Sequence, residues 1–411
     1  MNKNHKGIEK VDGTSKKSYV LQLIIFITAS LLAWYTCACA EIPTTSVDEV
    51  AKAIASCGFE NVRVQTSTNT IIIEYENRIY LRERDAIKVI VSKTTNVIPG
   101  IEKLVLIPKR DNVPLFQIVL TNPKITEPII DSNQIIMDPD IPHHIAGYES
   151  TVKKYNSSVG KIDSIIHPDI AAVLGHFEDP LISQFSIFPD FSIFWGKGIR
   201  SNVQLRFLLQ DELENKGRRV ELDKLCLSYT YRHSALTFMN VGVGLLEGDR
   251  YGVASEAFLY KWKSGIGIGG TAAWLGNAYF QDGKLYYTKL WKTIGLLNLR
   301  YKPPFWNLLL TARFGRFLYK DYGASMEITR FFHNTSLSAF VAKTDRGSTA
   351  GFRLQFLTYP RRNLKPSWVR VKLPDVFNIE YRYNQTDAAT VFSPEYYTDY
   401  VTDTLWLMNL K

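Results

Sequence analysis

The chain has 411 residues, 45% of them hydrophobic, and its 49 Lys and Arg against 40 Asp and Glu give a formal charge of +9. That length exceeds one ordinary domain, so at least two are expected. The mildly basic balance suits acidic lipid head groups or acidic polymers and argues against a dedicated nucleic-acid binder.

Residues 1–18 carry Lys3, Lys6, Lys10, Lys16 and Lys17 against Glu9 and Asp12. Tyr19 to Thr36 carries no charge, and the small-residue run Cys37-Ala38-Cys39-Ala40 follows. Basic, apolar and small, in that order, predict a secretory leader over 1–40. The alternative is one N-terminal membrane anchor, because the apolar run approaches spanning length. Two processing chemistries compete. Ala38 and Ala40 form an A-x-A site, while Thr36-Cys37-Ala38-Cys39 resembles a loose lipobox with Cys39 as the lipid attachment. Removing 1–40 takes five lysines and two acids, leaving a mature charge near +6. No further long apolar helix follows, which excludes a polytopic helical membrane protein.

Residues 41–122 read as a periplasmic α/β unit. Val47, Val50 and Ile54 have helical spacing, and Gly58 is a suitable C-terminal stop. Strands are expected over 62–66, 70–75, 104–108 and 115–120, with a second helix over 84–97 and a turn at Asp111-Asn112. The order αββαββ gives a small α+β domain with no catalytic constellation. Residues 123–180 hold Pro123, Pro128, Pro139, Pro142, Pro168 and Pro180 and read as a Pro-rich linker, with a short helical piece over 162–174. His143, His144, His167 and His176 lack the Cys or clustered His/Glu that a metal site needs, so no metal is expected. Cys57 and Cys226 lie in different expected domains and should not pair.

From residue 181 to 411 the period is two. Val203, Leu205, Phe207 and Leu209 alternate with Gln204, Arg206, Leu208 and Gln210. Leu225 to Arg232, Trp306 to Gly315, Gly351 to Phe356 and Phe377 to Asn384 alternate likewise. One greasy face and one polar face per strand fit two architectures. A soluble sandwich buries the apolar faces between sheets, and a transmembrane barrel turns them to lipid. Strands of about nine to eleven residues suit a tilted span. Arg206, Arg232, Glu256, Arg313, Glu327, Arg353, Glu380 and Arg382 would line a lumen. Trp195, Tyr260, Trp262, Trp274, Trp291, Trp306 and Tyr359 gather near strand ends as an interfacial girdle. The expectation is therefore a mainly β chain with an antiparallel transmembrane-type β-barrel of about twelve strands. Gly265 to Gly270 mimics a nucleotide loop but lies in a strand pattern with no helix after it, so strand packing explains it.

Three stretches carry a family resemblance: EYENRIYLRERDAIKVI (74–90), LLEGDRYGVASEAFLY (245–260) and GRFLYKDYGASMEITRFF (315–332). They resemble the YjbH family of exopolysaccharide-associated outer-membrane proteins. The matching residues include Glu76, Asn77, Tyr80, Gly252, Glu256, Arg316, Asp321, Gly323 and Arg330. Members are longer, so the resemblance is to a C-terminal half, and the chain's end at Leu410-Lys411 lacks the terminal aromatic usual for outer-membrane barrels. The resemblance implies a role in exopolysaccharide or capsule export or surface assembly at the outer membrane, and the residues themselves suggest no catalysis. The expected partners are outer-membrane lipid, a periplasmic or second barrel-forming protein and, from the basic charge and the arginines of the polar face, an acidic exopolysaccharide. No cofactor is implied. A docking protein and a polysaccharide-modifying enzyme are the alternatives. Asp321 and Glu327, six residues apart, would sit about 20 Å apart on one extended strand, too far for paired glycosidase carboxylates.

Overall fold

A computed structural model describes residues 46–67, 70–121, 135–138, 153–174, 181–211, 219–232, 237–246, 249–261, 264–281, 284–303, 307–358, 362 and 367–383. The expected leader, Cys39 and the residues His143, His144 and His176 lie outside them.

Two sheets form. The first holds helices α1 (Ser46–Ser56) and α2 (Glu83–Val97) and strands β1 (Glu60–Ser67), β2 (Thr70–Glu76), β3 (Lys103–Arg110), β4 (Val113–Pro114), β5 (Gln117–Thr121) and β6 (Ile135–Asp138). Its order is β1-β2-β3-β5-β6, with β4 beside β3. β2 and β3 are parallel, as a helical crossover through α2 requires, and every other pair is antiparallel. The helices bury Val50, Ile54, Ile87 and Ile90 against Ile73, Tyr75, Leu104 and Leu106, all fully buried. Gly58 ends α1 with φ 100°, and Asp111-Asn112 makes the tight turn after β3 with φ 51° and 60°.

The second sheet has fifteen strands. They are β7 (Ile162–Leu174), β8 (Leu181–Gly196), β9 (Ile199–Asp211), β10 (Arg219–Arg232), β11 (Thr237–Leu245), β12 (Arg250–Lys261), β13 (Ile266–Gln281), β14 (Lys284–Tyr287), β15 (Lys292–Tyr301), β16 (Leu308–Arg316), β17 (Tyr322–Phe331), β18 (Thr335–Thr344), β19 (Gly347–Leu357), β20 (Val369–Lys372) and β21 (Val376–Tyr383). The stretch read as a linker supplies strands to both sheets. Residues 162–174 are a strand and not a helix. Ile162, Ile165, Ile166 and Ile170 fall at helix-like spacing, which misled the period. Pro168 is tolerated because β20 pairs with β7 only over Ile162–Ile165. β7, β14 and β20 take the count above the twelve expected.

The faces have inverted polarity. On β10, Leu225, Leu227, Tyr229 and Tyr231 are 37–48% exposed, while Ser228, Thr230 and Arg232 are 2–7% exposed. Met239, Val241 and Val243 on β11, Leu297, Leu299 and Tyr301 on β15, and Met326 and Ile328 on β17 repeat the pattern. Polar side chains on the buried face bond one another: Asn240 to Thr230 at 2.7 Å, Asn298 to Thr271 at 2.9 Å and Ser336 to Gln355 at 2.7 Å.

The sheet also curls. Its path runs β20-β7-β8 through to β19-β21 over fourteen strands, so β20 and β21 are its two edges. Laid flat at about 4.8 Å per strand, those edges would stand about 60 Å apart. Yet only residues 373–375 join them, and such a link reaches at most about 15 Å. The two edges therefore come round toward each other, with the polar rows on the concave side.

Candidate functional site

Hairpin order places alternate turns at opposite ends of the large sheet. At the end holding the β8–β9, β10–β11 and β17–β18 turns, the α/β unit docks. Its sequence carries the docking chemistry in ENRIY (76–80). Asn77 folds the segment: its Oδ1 accepts from the Tyr80 amide at 2.9 Å, and its Nδ2 donates to the Tyr80 carbonyl at 2.8 Å. That turn aims Arg78 at four carboxylates: Asp111 at 2.9 Å, Glu76 at 3.3 Å, Asp163 at 3.5 Å and Glu60 at 4.0 Å. Arg200 at the start of β9 also pairs with Asp111, Lys161 with Glu60 at 2.9 Å, and Arg370 of β20 with Asp163. Four acids thus face four cations, buried or half-buried, with Arg110 adding positive charge beside Asp111.

The seam continues around the rim. Arg232 donates to the Pro114 carbonyl at 2.9 Å, and its guanidinium lies 5.2 Å from the Phe238 ring. Phe238 of the large sheet is buried in the α/β unit's own core. Asn61 donates to Ser158 at 2.7 Å, and Arg82 donates to the His333 carbonyl at 2.9 Å. Burial tends to raise the Asp111 carboxyl, but Arg200, Arg78 and Arg110 outweigh it and hold the group well below the usual carboxylate range. Burial pushes Glu83 up, against hydrogen bonds from Tyr75 and Asn77.

On the concave face the expected lumen residues divide. Arg313, Glu327, Arg353, Glu380 and Arg382 form one ladder across β16, β17, β19 and β21. Glu327 sits 3.7 Å from Arg313 and 3.0 Å from Arg353; Arg353 is 2.7 Å from Glu380, which also pairs with Arg382. Arg206 donates to Gln184 at 2.9 Å and lies 3.9 Å from Glu221. Glu256 is buried between Asn240 and Thr271 on the neighbouring strands. These charges largely answer one another. Glu327 lies within a strand that is already extended at Tyr322, so Asp321 stays remote from it. Among the described residues no three or more His, Cys, Asp or Glu side chains group as a metal set, and Cys57 and Cys226 are both free thiols.

The GRFLYKDYGA segment closes the opposite end. Phe317 and Leu318 turn inward and are fully buried with Leu246, Leu275, Ile294 and Leu296. The Phe317 amide bonds the Asp321 carbonyl at 2.8 Å, and Asp321 is 1% exposed. The glycines answer to close strand approach. A Cβ on Gly323 would lie 2.1 Å from the Lys343 carbonyl oxygen, and one on Gly252, with φ +144°, 2.1 Å from that of Trp274. Gly323→Ala should therefore lower stability by about 2 kcal/mol or more, read as a fall in the thermal midpoint of the purified chain. Arg316 lies 5.7 Å from the Tyr322 ring and Arg330 5.2 Å from the Phe332 ring. Both thus lie against aromatic rings and make no ladder contact.

The family model described as "Exopolysaccharide biosynthesis protein YbjH" matches residues 35–353. The chain belongs to the YjbH family. No curated protein and no solved structure gives a significant match. The match to YjbH spans the docking segment, the ladder as far as Arg353, and the inward turn at 317–321; Glu380 and Arg382 lie beyond it. Within this YjbH chain, sequence reasoning singled out Glu76, Asn77 and Tyr80 but missed Arg78 between them. It also missed Asp111, Asp163, Arg200 and Arg370. The available signal was an arginine inside a motif otherwise built of turn and core residues.

Proposed function

We propose that this chain is an outer-membrane β-barrel protein that acts, without catalysing a reaction, in the export or surface assembly of an exopolysaccharide. The family membership supports an exopolysaccharide role and a place in the cell envelope. The observation that carries the membrane reading is the inverted polarity of the curled sheet. A sandwich would bury rows such as Leu225, Leu227, Tyr229 and Tyr231, and here they are exposed while polar partners are buried. With its edges brought together the sheet forms a barrel, and the α/β unit caps its periplasmic end.

The test joins fractionation to phenotype. The chain should co-fractionate with outer membrane and change gel mobility on heating, and its deletion should alter surface polysaccharide. A soluble, heat-insensitive chain overturns the barrel, and unchanged polymer yield and composition overturns the role.

Docking of the α/β unit to a separate periplasmic protein is the weaker reading, because Glu60 and Asp111 already pair with Arg370 and Arg200 of this chain's own large sheet. An enzymatic reading meets a similar obstacle, since Glu327 is held between Arg313 and Arg353. Glu327→Gln should leave polymer composition unchanged and lower stability by only about 1 kcal/mol. Loss of polymer processing in a folded Glu327→Gln chain would restore the enzyme reading.

A further inference from the structure

At the end of the large sheet away from the α/β unit, three connections converge on two aromatic rings. Trp291 ends the connection into β15 and is 45% exposed. Tyr319 and Lys320 lie in the turn between β16 and β17, and Arg346 lies in the β18–β19 turn. The Lys320 ammonium sits 4.8 Å from the Trp291 ring centroid. Lys292 sits 5.2 Å from the same ring and 5.1 Å from that of Tyr319. The Arg346 guanidinium lies 5.3 Å from the Tyr319 ring and donates to the Tyr319 carbonyl at 3.4 Å.

These cations differ from those of the concave-face ladder. Arg313 and Arg353 each face a carboxylate. Among the described residues no carboxylate lies within ion-pair distance of Lys292, Lys320 or Arg346; Lys292 has only the neutral Asn277 Oδ1 at 2.9 Å. Three like charges around two rings repel one another, and an arriving anion relieves that repulsion. The rings hold the cations, and the 45% exposure of Trp291 leaves hydrophobic area for a flat ligand.

Position selects the ligand class. Lys292 opens the buried row of β15 that continues through Ile294, Leu296, Asn298 and Arg300. Tyr319 packs on the inward cluster around Phe317 and Leu318. Lys292 and Tyr319 thus anchor the cradle at the rim of the concave face. A lipid head group meets the outer face, whereas a polymer chain crosses the rim.

We propose that Trp291, Tyr319, Lys292, Lys320 and Arg346 bind an acidic sugar residue of a polysaccharide, its carboxylate against the cations and its ring face on Trp291. This rests on the exopolysaccharide role and supplies its ligand class. The test uses the purified full chain in detergent and titration calorimetry with an oligogalacturonate, a neutral maltooligosaccharide of equal length, and inorganic phosphate. Oligogalacturonate should bind saturably and weaken as salt rises. Trp291→Ala, and Lys320→Asn with Arg346→Gln, should each weaken it at least about tenfold. Asn suits the left-handed backbone of Lys320, whose φ is 65°, and unchanged heat-dependent gel mobility certifies folding.

Equal binding of the neutral oligomer, unaltered affinity in folded variants, or no binding at all rejects the site. Full displacement by equimolar phosphate marks a phosphate or head-group site and rejects the sugar. A deletion strain separates the two levels. Altered polymer with no oligogalacturonate binding leaves the role standing without this site, and binding with unaltered polymer leaves the site standing without the role.

Discussion

Arg78→Ala should loosen the α/β unit from the large sheet and cost about 3–5 kcal/mol, the range for breaking a buried ion pair from one side. Arg78 is only 14% exposed and stands within 4.0 Å of Glu60, Glu76, Asp111 and Asp163. Its loss leaves four carboxylates without the one cation that reaches all of them, with little water to screen them. Lys161 and Arg200 each reach one of these acids and Arg370 reaches two, Asp163 and Glu60, so none replaces Arg78 at Glu76. The expected readouts are a large fall in thermal midpoint and faster hydrogen exchange at Asn61 and Ser158, which bond each other across the seam. Exchange at those amides equal to the unaltered chain would show that apolar packing around Phe238 holds the unit alone.

The same cluster sets a pH dependence. Asp111's carboxyl is depressed in the folded chain, since Arg200, Arg78 and Arg110 outweigh the burial that would raise it. A depressed acid contributes stability that is complete above the unfolded value of about 4 and is lost as pH falls through the folded value. Glu83, raised by burial, has the opposite sign: its contribution is present below the unfolded value and lost as pH rises. Comparing Asp111→Asn with the unaltered chain cancels the Glu83 term. The advantage of Asp111 should be full at pH 7 and shrink steadily below about pH 4. A constant difference between the two chains across that range would contradict the assigned ion pairs.

What the sequence made legible follows from where each signal lives. Alternation is local, so Leu225 to Arg232 announced a two-faced strand without reference to anything distant. Alternation does not say which face is buried; that needed the exposure of Leu227 beside the burial of Ser228. The α/β unit was readable because Val50, Ile54 and Gly58 lie within one helix and its stop. Arg78 was not, because its partners Asp111 and Asp163 are 33 and 85 residues away. The residues expected to line a lumen share one face of the large sheet. Their neutralising pairs depended on strand register, such as Arg353 opposite Glu380, which no single strand encodes. Residues 162–174 failed for a physical reason: isoleucines at three- and four-residue spacing satisfy a helix, and only pairing along β8 from Ile162 to Leu174 makes the strand.

The outer face gives the second large effect. Val241→Lys and Met326→Lys should each abolish stable assembly in the membrane or cost about 2–4 kcal/mol in detergent or lipid, the depth-dependent penalty for a charge on the lipid face of a barrel. Val241 lies mid-strand in β11, 40% exposed, and Met326 in β17, 55% exposed. In water, a lysine at so exposed a position would change stability by only about 0.5 kcal/mol. The two environments therefore differ severalfold at the same residue. Heat-modifiable mobility and outer-membrane yield of each variant measure the difference. The neighbouring polar row supplies the control, because Asn240→Ser on the buried face keeps a hydrogen-bonding group toward Thr230 and should assemble nearly as the unaltered chain does. If Val241→Lys assembles as well as Asn240→Ser, the exposed rows face water and the membrane reading fails. If it is lost while Asn240→Ser is retained, the apolar rows face lipid, and the polar rows enclose the space that Arg313, Glu327 and Arg353 line.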